Sequence, residues 1–322
     1  MYKKAARQSV LQPTVVGARG LSLKIIWWNC GFSGLTKKRK TCREAPKPEK
    51  RKEKEAKIGR KIGQAQKVID TLIGEADVLV LGEFDWLVDP KSIVEGYNLM
   101  HANDGVEYGI ADLRKSTSDP EKNMDTIIIY NKNLLDLDRC GDCLDAQVPW
   151  KSANYRVYQM ITVRCRNGAH FEFKMAVAHW RMRDGFGGRE ENRLKCRAAD
   201  ILAKRLSAEE ECPYKIILGD FNVEPYEEPM QWIGASRSVE YVRKYKCLYN
   251  PFWRFLDGEH YTIRKRFSDD FKDEGAVFDS IMVNARFVDE GWALTPSIDS
   301  DLLGNYDFQN GDHCPVSLQI SR

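Results

Sequence analysis

The sequence predicts an α/β protein on the strength of three observations. A chain of 322 residues, 43% hydrophobic and 30% charged, can bury a large core. Apolar runs of strand length alternate with amphipathic helical patterns, beginning with a strand, a helix and a second strand. The sequence contains no internal repeat of solenoid or propeller length, so those architectures are excluded.

The first three elements form a strand, helix and strand unit. Residues 23–28 are apolar enough for a buried strand and end at Asn29-Cys30-Gly31, which predicts a loop. Residues 58–73 place apolar side chains at helical spacing, and the pattern stops at Gly74. Residues 78–81 are uniformly apolar and predict a second buried strand.

Residues 126–130, 155–164 and 171–178 predict a second run of strands, which we expect to be antiparallel. Asn167-Gly168 is a hairpin-turn signal between two of them. Residues 226–275 have no clear pattern. Further strands are predicted at residues 215–218, 276–283 and 315–320, and a helix at 189–206.

The charge of the chain is unevenly distributed. Fifty Lys and Arg against 47 Asp and Glu give a net charge of +3. Residues 37–61 alone hold 13 Lys and Arg and 4 Glu, a net charge of +9, so the rest of the chain is mildly acidic. We therefore expect a single domain over residues 1–322, with an N-terminal extension at 1–20 and a basic insert at about 36–57.

The composition predicts a soluble, cytoplasmic protein without a membrane partner. No uninterrupted apolar stretch is long enough to span a bilayer, and residues 1–20 lack the apolar centre of a secretion signal. Nine cysteines, an odd number, suit reduced thiols. Cys140 and Cys143 form a lone CxxC, which favours a turn over a zinc site.

Polar residues able to do chemistry collect at the ends of the predicted strands. Such ends converge on one edge of a sheet, where ligand sites form. Carboxylate and amide oxygens suit Mg²⁺ or Mn²⁺, and histidines add a base and hydrogen-bond donors. The residues are Asn29, Glu83, His179, Asp220, Asn222, Asp279, Asp312 and His313.

Each of these residues also has a structural alternative. Asp220 and Asn222 are residue types that cap a turn after a strand. Asn29 and Asp279 are common at strand ends, and a lone His179 is more often a buried structural histidine. Cys314, beside His313, is better explained as a packed thiol than as a nucleophile.

Taken in order, these residues and their neighbours resemble the endonuclease/exonuclease/phosphatase superfamily, the DNase I-like proteins. The resemblance covers most of the chain from residue 23 to 320 and implies a four-layer α/β sandwich, with two packed mixed β-sheets flanked by helices. The matching motifs are Trp28-Asn29, Leu81-Gly-Glu83, Ala178-His179-Trp180, Leu218-Gly-Asp-Phe-Asn222, Phe278-Asp279-Ser-Ile281 and Gly311-Asp-His-Cys-Pro-Val316.

The resemblance implies a role for each position. Glu83 would bind the catalytic Mg²⁺ or Mn²⁺, with Asn29 and Asp312 as further metal residues. Asp220 would activate the attacking water and Asn222 would align it. His313, oriented by Asp279, would donate to phosphoryl oxygens.

His179 would bind a second phosphate oxygen or assist the leaving group. In the AP endonuclease branch an acidic residue stands where this chain has Gly31, and Tyr stands in place of His179. The departures therefore favour the histidine-containing nuclease branch. Phe84-Asp85-Trp86 after the metal Glu also departs from the usual polar residue.

The substrate expected from the sequence is a nucleic acid, DNA in preference to RNA. The basic insert begins shortly after Asn29 and would attract a polyanion. Tryptophans beside site residues could stack on bases, although both are equally explained as core. The candidate contacts are Trp86, Trp180, Arg181, Lys37, Lys38 and Arg39.

Other functions stay open at this point. A phosphatase, or a lipid or inositol phosphate phosphodiesterase, could use the same fold. A nucleic-acid-binding module with an inactive site is disfavoured because every expected ligand residue is present. A regulatory protein partner could contact residues 1–20 or the basic insert.

Overall fold

The fold is a four-layer α/β sandwich in the computed structural model, which describes residues 20–31, 48–84, 88–113, 126–138, 146–150, 153–166, 171–180, 188–208, 212–265, 274–305 and 313–322. The helices are α1 (Pro48–Glu75), α2 (Pro90–Met100), α3 (Gly188–Ala208), α4 (Glu228–Trp232), α5 (Val239–Tyr245), α6 (Ala285–Asp289) and α7 (Ser300–Asn305), with 3₁₀ turns at Ala102–Asp104 and Pro251–Phe255.

The strands are β1 (Ser22–Asn29), β2 (Val78–Gly82), β3 (Tyr108–Asp112), β4 (Ile127–Asn131), β5 (Leu135–Asp138), β6 (Ala146–Trp150), β7 (Ala153–Cys165), β8 (Glu172–His179), β9 (Tyr214–Asp220), β10 (Ala235–Ser236), β11 (Leu248–Tyr249), β12 (Ile263–Lys265), β13 (Glu274–Ala276), β14 (Asp279–Asn284), β15 (Ala293–Ile298) and β16 (Val316–Ser321).

Two mixed sheets form the inner layers. The first has the order β15-β16-β1-β2-β4-β3, and its β1 and β2 are parallel. The second has the order β10-β11-β14-β9-β8-β7-β5, with β6 paired to β7 and with β8 and β9 parallel. Strands β12 and β13 form a separate two-stranded ribbon.

The main hydrophobic core fills the space between the sheets. Ile25 and Trp27 of β1 lie in it with Met175 of β8 and Leu218 of β9. Successive side chains of a strand point to opposite faces. The neighbouring residues therefore face outward, and strands buried on both faces are continuously apolar.

Helices cover both outer faces. Trp28 of β1 and Leu79 of β2 pack in one cluster with Ile69 of α1. On the other side, Ile217 of β9 packs in one cluster with Leu202 of α3. The predicted four-layer sandwich of two packed mixed β-sheets flanked by helices is confirmed.

Helix α1 begins at Pro48, ten residues before the predicted start at residue 58. Apolar periodicity could not detect this part because its described side chains are exposed up to Lys57. Its Glu, Lys and Arg residues are strong helix formers, and Pro48 is favourable at a helix start. The C-terminal part of the predicted basic insert is therefore helical.

Two strand predictions were wrong in detail. Strand β4 pairs with β2 in the first sheet instead of joining the second run. The predicted strand at 276–283 is two strands, because β13 pairs with β12 and β14 pairs with β9. The predicted Asn167-Gly168 turn and the Cys140–Cys143 pair lie outside the described residues.

The uninterpreted region 226–275 contains four short elements, α4, β10, α5 and β11, the 3₁₀ turn and two ribbon strands. Elements this short give no readable period. Within the described ranges, no helix is both long and apolar enough to cross a bilayer.

Candidate active site

Asp220, His179 and Asp279 lie side by side on three neighbouring strands. Asp220 ends β9, His179 is its partner on parallel β8, and Asp279 is its partner on antiparallel β14. Because β14 runs in the opposite direction, its first residue meets the last residue of β9. The register therefore brings two strand ends and one strand start to the same place.

The glycine before Asp220 is required by the close approach of β8. Gly219 has a φ of 148°, and a Cβ at this position would lie 1.7 Å from the Ala178 carbonyl oxygen. No other residue fits this backbone without displacing the strand. The Leu-Gly-Asp part of the motif is thus a packing requirement that places the Asp220 carboxylate.

Asn29 and Glu83 approach Asp220 from the first sheet. Asn29 is the last residue of β1, and Glu83 comes directly after β2. The two strands are parallel, and Asn29 pairs with Gly82. Asn29 Nδ2 lies 3.1 Å from Asp220 Oδ2 and 3.4 Å from Glu83 Oε1. Glu83 has a φ of 51°, a left-handed conformation uncommon for a non-glycine residue and typical of functional sites.

Asp279 orients His313 inside the core. His313 Nδ1 lies 2.8 Å from Asp279 Oδ2, and the Trp27 indole N–H donates to Asp279 Oδ1 at 2.7 Å. The backbone N–H of Asp279 donates to the Thr262 hydroxyl at 3.0 Å. All of Asp279 is buried. With its Nδ1 held, His313 presents Nε2 to the centre of the site.

Three side-chain nitrogens converge on one oxygen of Asp220. Besides Asn29 Nδ2, His313 Nε2 lies 3.7 Å and His179 Nε2 lies 3.9 Å from Asp220 Oδ2. Burial, followed by the negative charge of Asp279, raises the pKa of Asp220 to about 6, against the opposing effect of the two histidines. Asp220 can therefore gain or lose a proton near neutral pH.

Asn222 is held in a strained conformation beside this carboxylate. It has a φ of 51°, its backbone N–H donates to Asp220 Oδ1 at 2.9 Å, and its Nδ2 donates to the Trp180 carbonyl at 2.7 Å. Its buried Oδ1 has no hydrogen-bond partner among the described residues. An unsatisfied buried acceptor costs about 1–3 kcal/mol. A water or a substrate hydroxyl would satisfy it.

Lys195, which the sequence reasoning missed, supports the same loop. Its side chain is 1% exposed, and Nζ donates to the Asn222 carbonyl at 2.9 Å and lies 3.3 Å from Glu191 Oε1. Glu191 and Lys195 lie on the stripe of α3 that also buries Leu194 and Ala198. Charged residues on an apolar helix stripe were the available signal.

The donor set fits a hard divalent cation. Glu83 Oε1 and Asp220 Oδ2 both face His179 Nε2, at 3.6 and 3.9 Å. Ligand atoms of Asp220, Asp279 and His313 also lie within 4.8 Å of one another. Both oxygens of Asp279 also accept hydrogen bonds, from Trp27 and His313, which hold this carboxylate against the His313 ring.

Asn29 does not present an oxygen to the carboxylates. Its Oδ1 accepts from the Gly31 backbone N–H at 3.1 Å, which fixes the amide orientation and turns Nδ2 toward Glu83 and Asp220. Asn29 thus bridges the two carboxylates in this arrangement. Its role as a metal residue stays a prediction.

Trp180 does not contact solvent. It is 0% exposed, its Nε1 donates to the Val157 carbonyl at 3.1 Å, and its ring meets Phe221 edge to face at 5.1 Å. The prediction that Trp180 stacks on a nucleic-acid base is therefore wrong, because the residue belongs to the core under α3. The other predicted residues outside the described ranges are Asp312, Trp86, Arg181, Lys37, Lys38 and Arg39, and for them the roles stay predictions.

Comparison with known proteins relates the fold to solved structures. No protein-family model matches the sequence, and no curated protein matches it. The chain is similar to an endonuclease/exonuclease/phosphatase family protein from Bacteroides thetaiotaomicron, with 12% identity, 94% of this chain and 98% of that chain covered, and a TM-score of 0.55.

Two further structures show the range of relatives. One is D. rerio TDP2 in complex with a single-strand DNA product, with 12% identity, 94% and 99% coverage and a TM-score of 0.53. The other is a mannosyl-6-phosphatase from Bacteroides thetaiotaomicron, with 12% identity, 92% and 99% coverage and a TM-score of 0.53. At these identities the likeness concerns the fold.

Fold and site together define a two-sheet α/β sandwich with buried carboxylates and histidines where the two sheets meet. The chain has the endonuclease/exonuclease/phosphatase, or DNase I-like, fold, and the resemblance stated from its motifs is confirmed at that level.

Proposed function

We propose that the chain is a metal-dependent phosphoesterase whose substrates are nucleic-acid phosphodiesters, DNA in preference to RNA. The observation that carries this proposal is the convergence of Asn29 Nδ2, His313 Nε2 and His179 Nε2 on Asp220 Oδ2. A carboxylate surrounded by fixed donors suits the activation of water next to a phosphoryl group.

Asp220 is the proposed general base. Its pKa, raised to about 6 chiefly by burial, lies close to neutral pH, where proton acceptance is most effective. The attacking water would pass its proton to Asp220 while its oxygen bonds to phosphorus and the opposite bond, from phosphorus to the leaving oxygen, breaks. Asn222 Oδ1, which lacks a partner among the described residues, would hold that water in line with the leaving oxygen.

The remaining residues would stabilise charge. His313, its Nδ1 held at 2.8 Å by Asp279, would donate from Nε2 to a phosphoryl oxygen. His179 would donate to a second oxygen or to the leaving group. A bound Mg²⁺ or Mn²⁺ supplies neutralisation of negative charge on the phosphoryl oxygens. Glu83 would hold it, together with Asp312 if the closing motif follows the family.

A nucleic acid is the favoured substrate because of the charge distribution. Residues 37–61 carry a net charge of +9, and only a short segment of the sequence separates them from the site residue Asn29. A similar fold has been solved with a single-strand DNA product. A mannosyl-6-phosphatase also has a similar fold. The alternative that experiment must distinguish is therefore a phosphatase, or a lipid or inositol phosphate phosphodiesterase.

The test is a substrate panel with the full chain. Supercoiled plasmid, single-stranded DNA, RNA and inositol phosphates are each incubated with Mg²⁺, Mn²⁺ or EDTA. We expect strand cleavage with either metal, fastest on DNA, and none in EDTA. His313→Ala should abolish turnover, whereas the matched control His260→Ala, at an exposed histidine paired with Asp257, should not. Release of inorganic phosphate without strand cleavage would overturn the proposal that the chain is a nuclease.

A further inference from the structure

The first half of α1 is a charged helix without a hydrophobic face. We call residues 48–61 the basic arm; they hold seven Lys and Arg and three Glu, a net charge of +4. Lys52, Lys57 and Arg60 are exposed, whereas Ala65 and Ile69 farther along the same helix are buried. Burial therefore stabilises the second half of α1, whereas the described side chains of the arm, apart from Ile58, are exposed.

Topology determines the direction in which the arm points. Helix α1 connects the parallel strands β1 and β2, so it must begin at the end of β1 and finish at the start of β2. The ion pair between Lys24 Nζ and Glu75 Oε2, at 2.8 Å, places the C-terminus of α1 beside the start of β1. The opposite end of α1, the basic arm, is therefore at the edge that carries Asn29 and Glu83.

The length of the helix carries the arm past that edge. From Lys24 to Asn29, β1 rises about 17 Å at about 3.3 Å per residue. A helix covers this distance in about 11 residues at 1.5 Å per residue, which from Glu75 reaches about residue 64. Ile58 and Ile62 still touch the cluster that contains Cys30 and Phe84. The ten residues before Ile58 then extend about 15 Å farther.

The composition of the arm points to a polyanion. Its only large apolar side chain is Ile58, so it lacks the apolar face that inserts into a lipid surface. Residues 37–47, which precede the arm and lie outside the described residues, add a net charge of +5 in sequence. The exposed Lys52, Lys57 and Arg60, spaced along one helix, can neutralise successive phosphates and release counterions.

We propose that the basic arm binds the phosphate backbone of a single-stranded nucleic acid on its way out of the active site. This inference rests on the proposed function for its choice of ligand. An arm that extends about 15 Å beyond Ile58 would contact only strands several nucleotides long, so the arm makes the enzyme prefer long strands over short ones.

The test compares two triple variants of equal charge change. The arm variant is Lys52→Glu, Lys57→Glu and Arg60→Glu; the control reverses exposed lysines elsewhere, Lys67→Glu, Lys204→Glu and Lys244→Glu. Binding of a fluorescent 30-nucleotide DNA is measured by anisotropy in EDTA between 50 and 300 mM salt, so that no turnover is needed. We expect the arm variant to bind at least about tenfold more weakly. Its log–log salt slope should be lower by about 2, at about 0.7 per lost phosphate contact.

Kinetics give an independent readout. The ratio of kcat/KM for the 30-nucleotide strand to that for a dinucleotide should fall about tenfold in the arm variant, mainly through KM, and stay within twofold in the control. Equal salt slopes in both variants would overturn the inference. The inference would also be overturned if the arm variant lost binding to anionic vesicles while its binding to DNA stayed unchanged. If the wild type binds DNA through the arm but cleaves nothing, the proposed function is contradicted, whereas the inference that the arm binds nucleic acid is supported.

Discussion

Asp220 and Asp279 are paired residues on the neighbouring antiparallel strands β9 and β14, and both carboxylates are buried. Two acids so placed repel each other when both are ionised. The fold tolerates this because Asp279 accepts hydrogen bonds from Trp27 and His313. Burial, followed by the negative charge of Asp279, raises the pKa of Asp220, so ionising Asp220 has a cost in stability.

The first prediction concerns that cost. The pKa of Asp220 is raised from 3.8 to about 6 on folding, so the folded protein holds an extra proton between those pH values. The contribution of this proton to the stability of the folded state is complete below pH 4 and is lost as pH rises through 6. Asp220→Asn, measured by urea unfolding in EDTA, should thus raise the free energy of unfolding by about 1–3 kcal/mol at pH 8 and hardly at pH 4.

The lower end of that range applies if the new amide is poorly accommodated beside Asn29 Nδ2. Activity should fall at least about 100-fold, the usual effect of losing a general base. Asp138→Asn, at an exposed carboxylate on β5, is the control for loss of a negative charge. A pH-independent difference between wild type and Asp220→Asn would contradict the assignment.

The second prediction concerns Trp27. Trp27→Phe removes the N–H that donates to Asp279 Oδ1 and leaves a buried carboxylate short of one donor, which costs about 1–3 kcal/mol. With Asp279 free to rotate, His313 should be oriented less well and kcat should fall about tenfold or more. Trp292→Phe, in the same inter-sheet core but outside the site, should lose stability through packing and keep its kcat.

The third prediction separates stability from positioning at Lys195. Lys195→Met leaves Glu191 buried without its partner and the Asn222 carbonyl without this donor, which should destabilise by about 3–5 kcal/mol. The double variant Lys195→Met/Glu191→Leu removes both charges and should recover much of that loss. Its kcat should nevertheless stay low while KM changes little, because the Asn222 carbonyl has lost the Lys195 donor that helps to position this residue. Wild-type kcat in the double variant would show that Lys195 serves stability alone.

The fourth prediction concerns the metal. Dialysis against EDTA should abolish turnover, and Mg²⁺ or Mn²⁺ should restore it. Glu83→Gln keeps the size of the side chain but removes the charge, so it should raise the half-saturating Mg²⁺ concentration about tenfold or more. Glu107→Gln, at an exposed carboxylate paired with Lys132, is the matched control. An unchanged Mg²⁺ requirement in Glu83→Gln would remove that residue from the metal site.

Much of the site was predictable because its residues follow recognisable strands. Asp220 and His179 come directly after continuous apolar runs, and parallel strands end at one edge. Trp180 was misassigned because a tryptophan beside a site residue looks the same in sequence whether it faces solvent or α3. Lys195 was missed because lysines are rarely buried, although its position falls on the apolar stripe of α3.

The sequence by itself determined the α/β class, the order of the strands that carry the site and the identity of the acids and histidines, because these depend on local periodicity and on residue chemistry. Only the tertiary structure decided that Asn29 turns its amide nitrogen to the carboxylates and that both oxygens of Asp279 accept hydrogen bonds. It also decided the direction of the basic arm. These depend on strand register, on the crossover between β1 and β2 and on contacts between residues far apart in the sequence, such as Trp27 and Asp279, which are 252 positions apart. No local pattern encodes them.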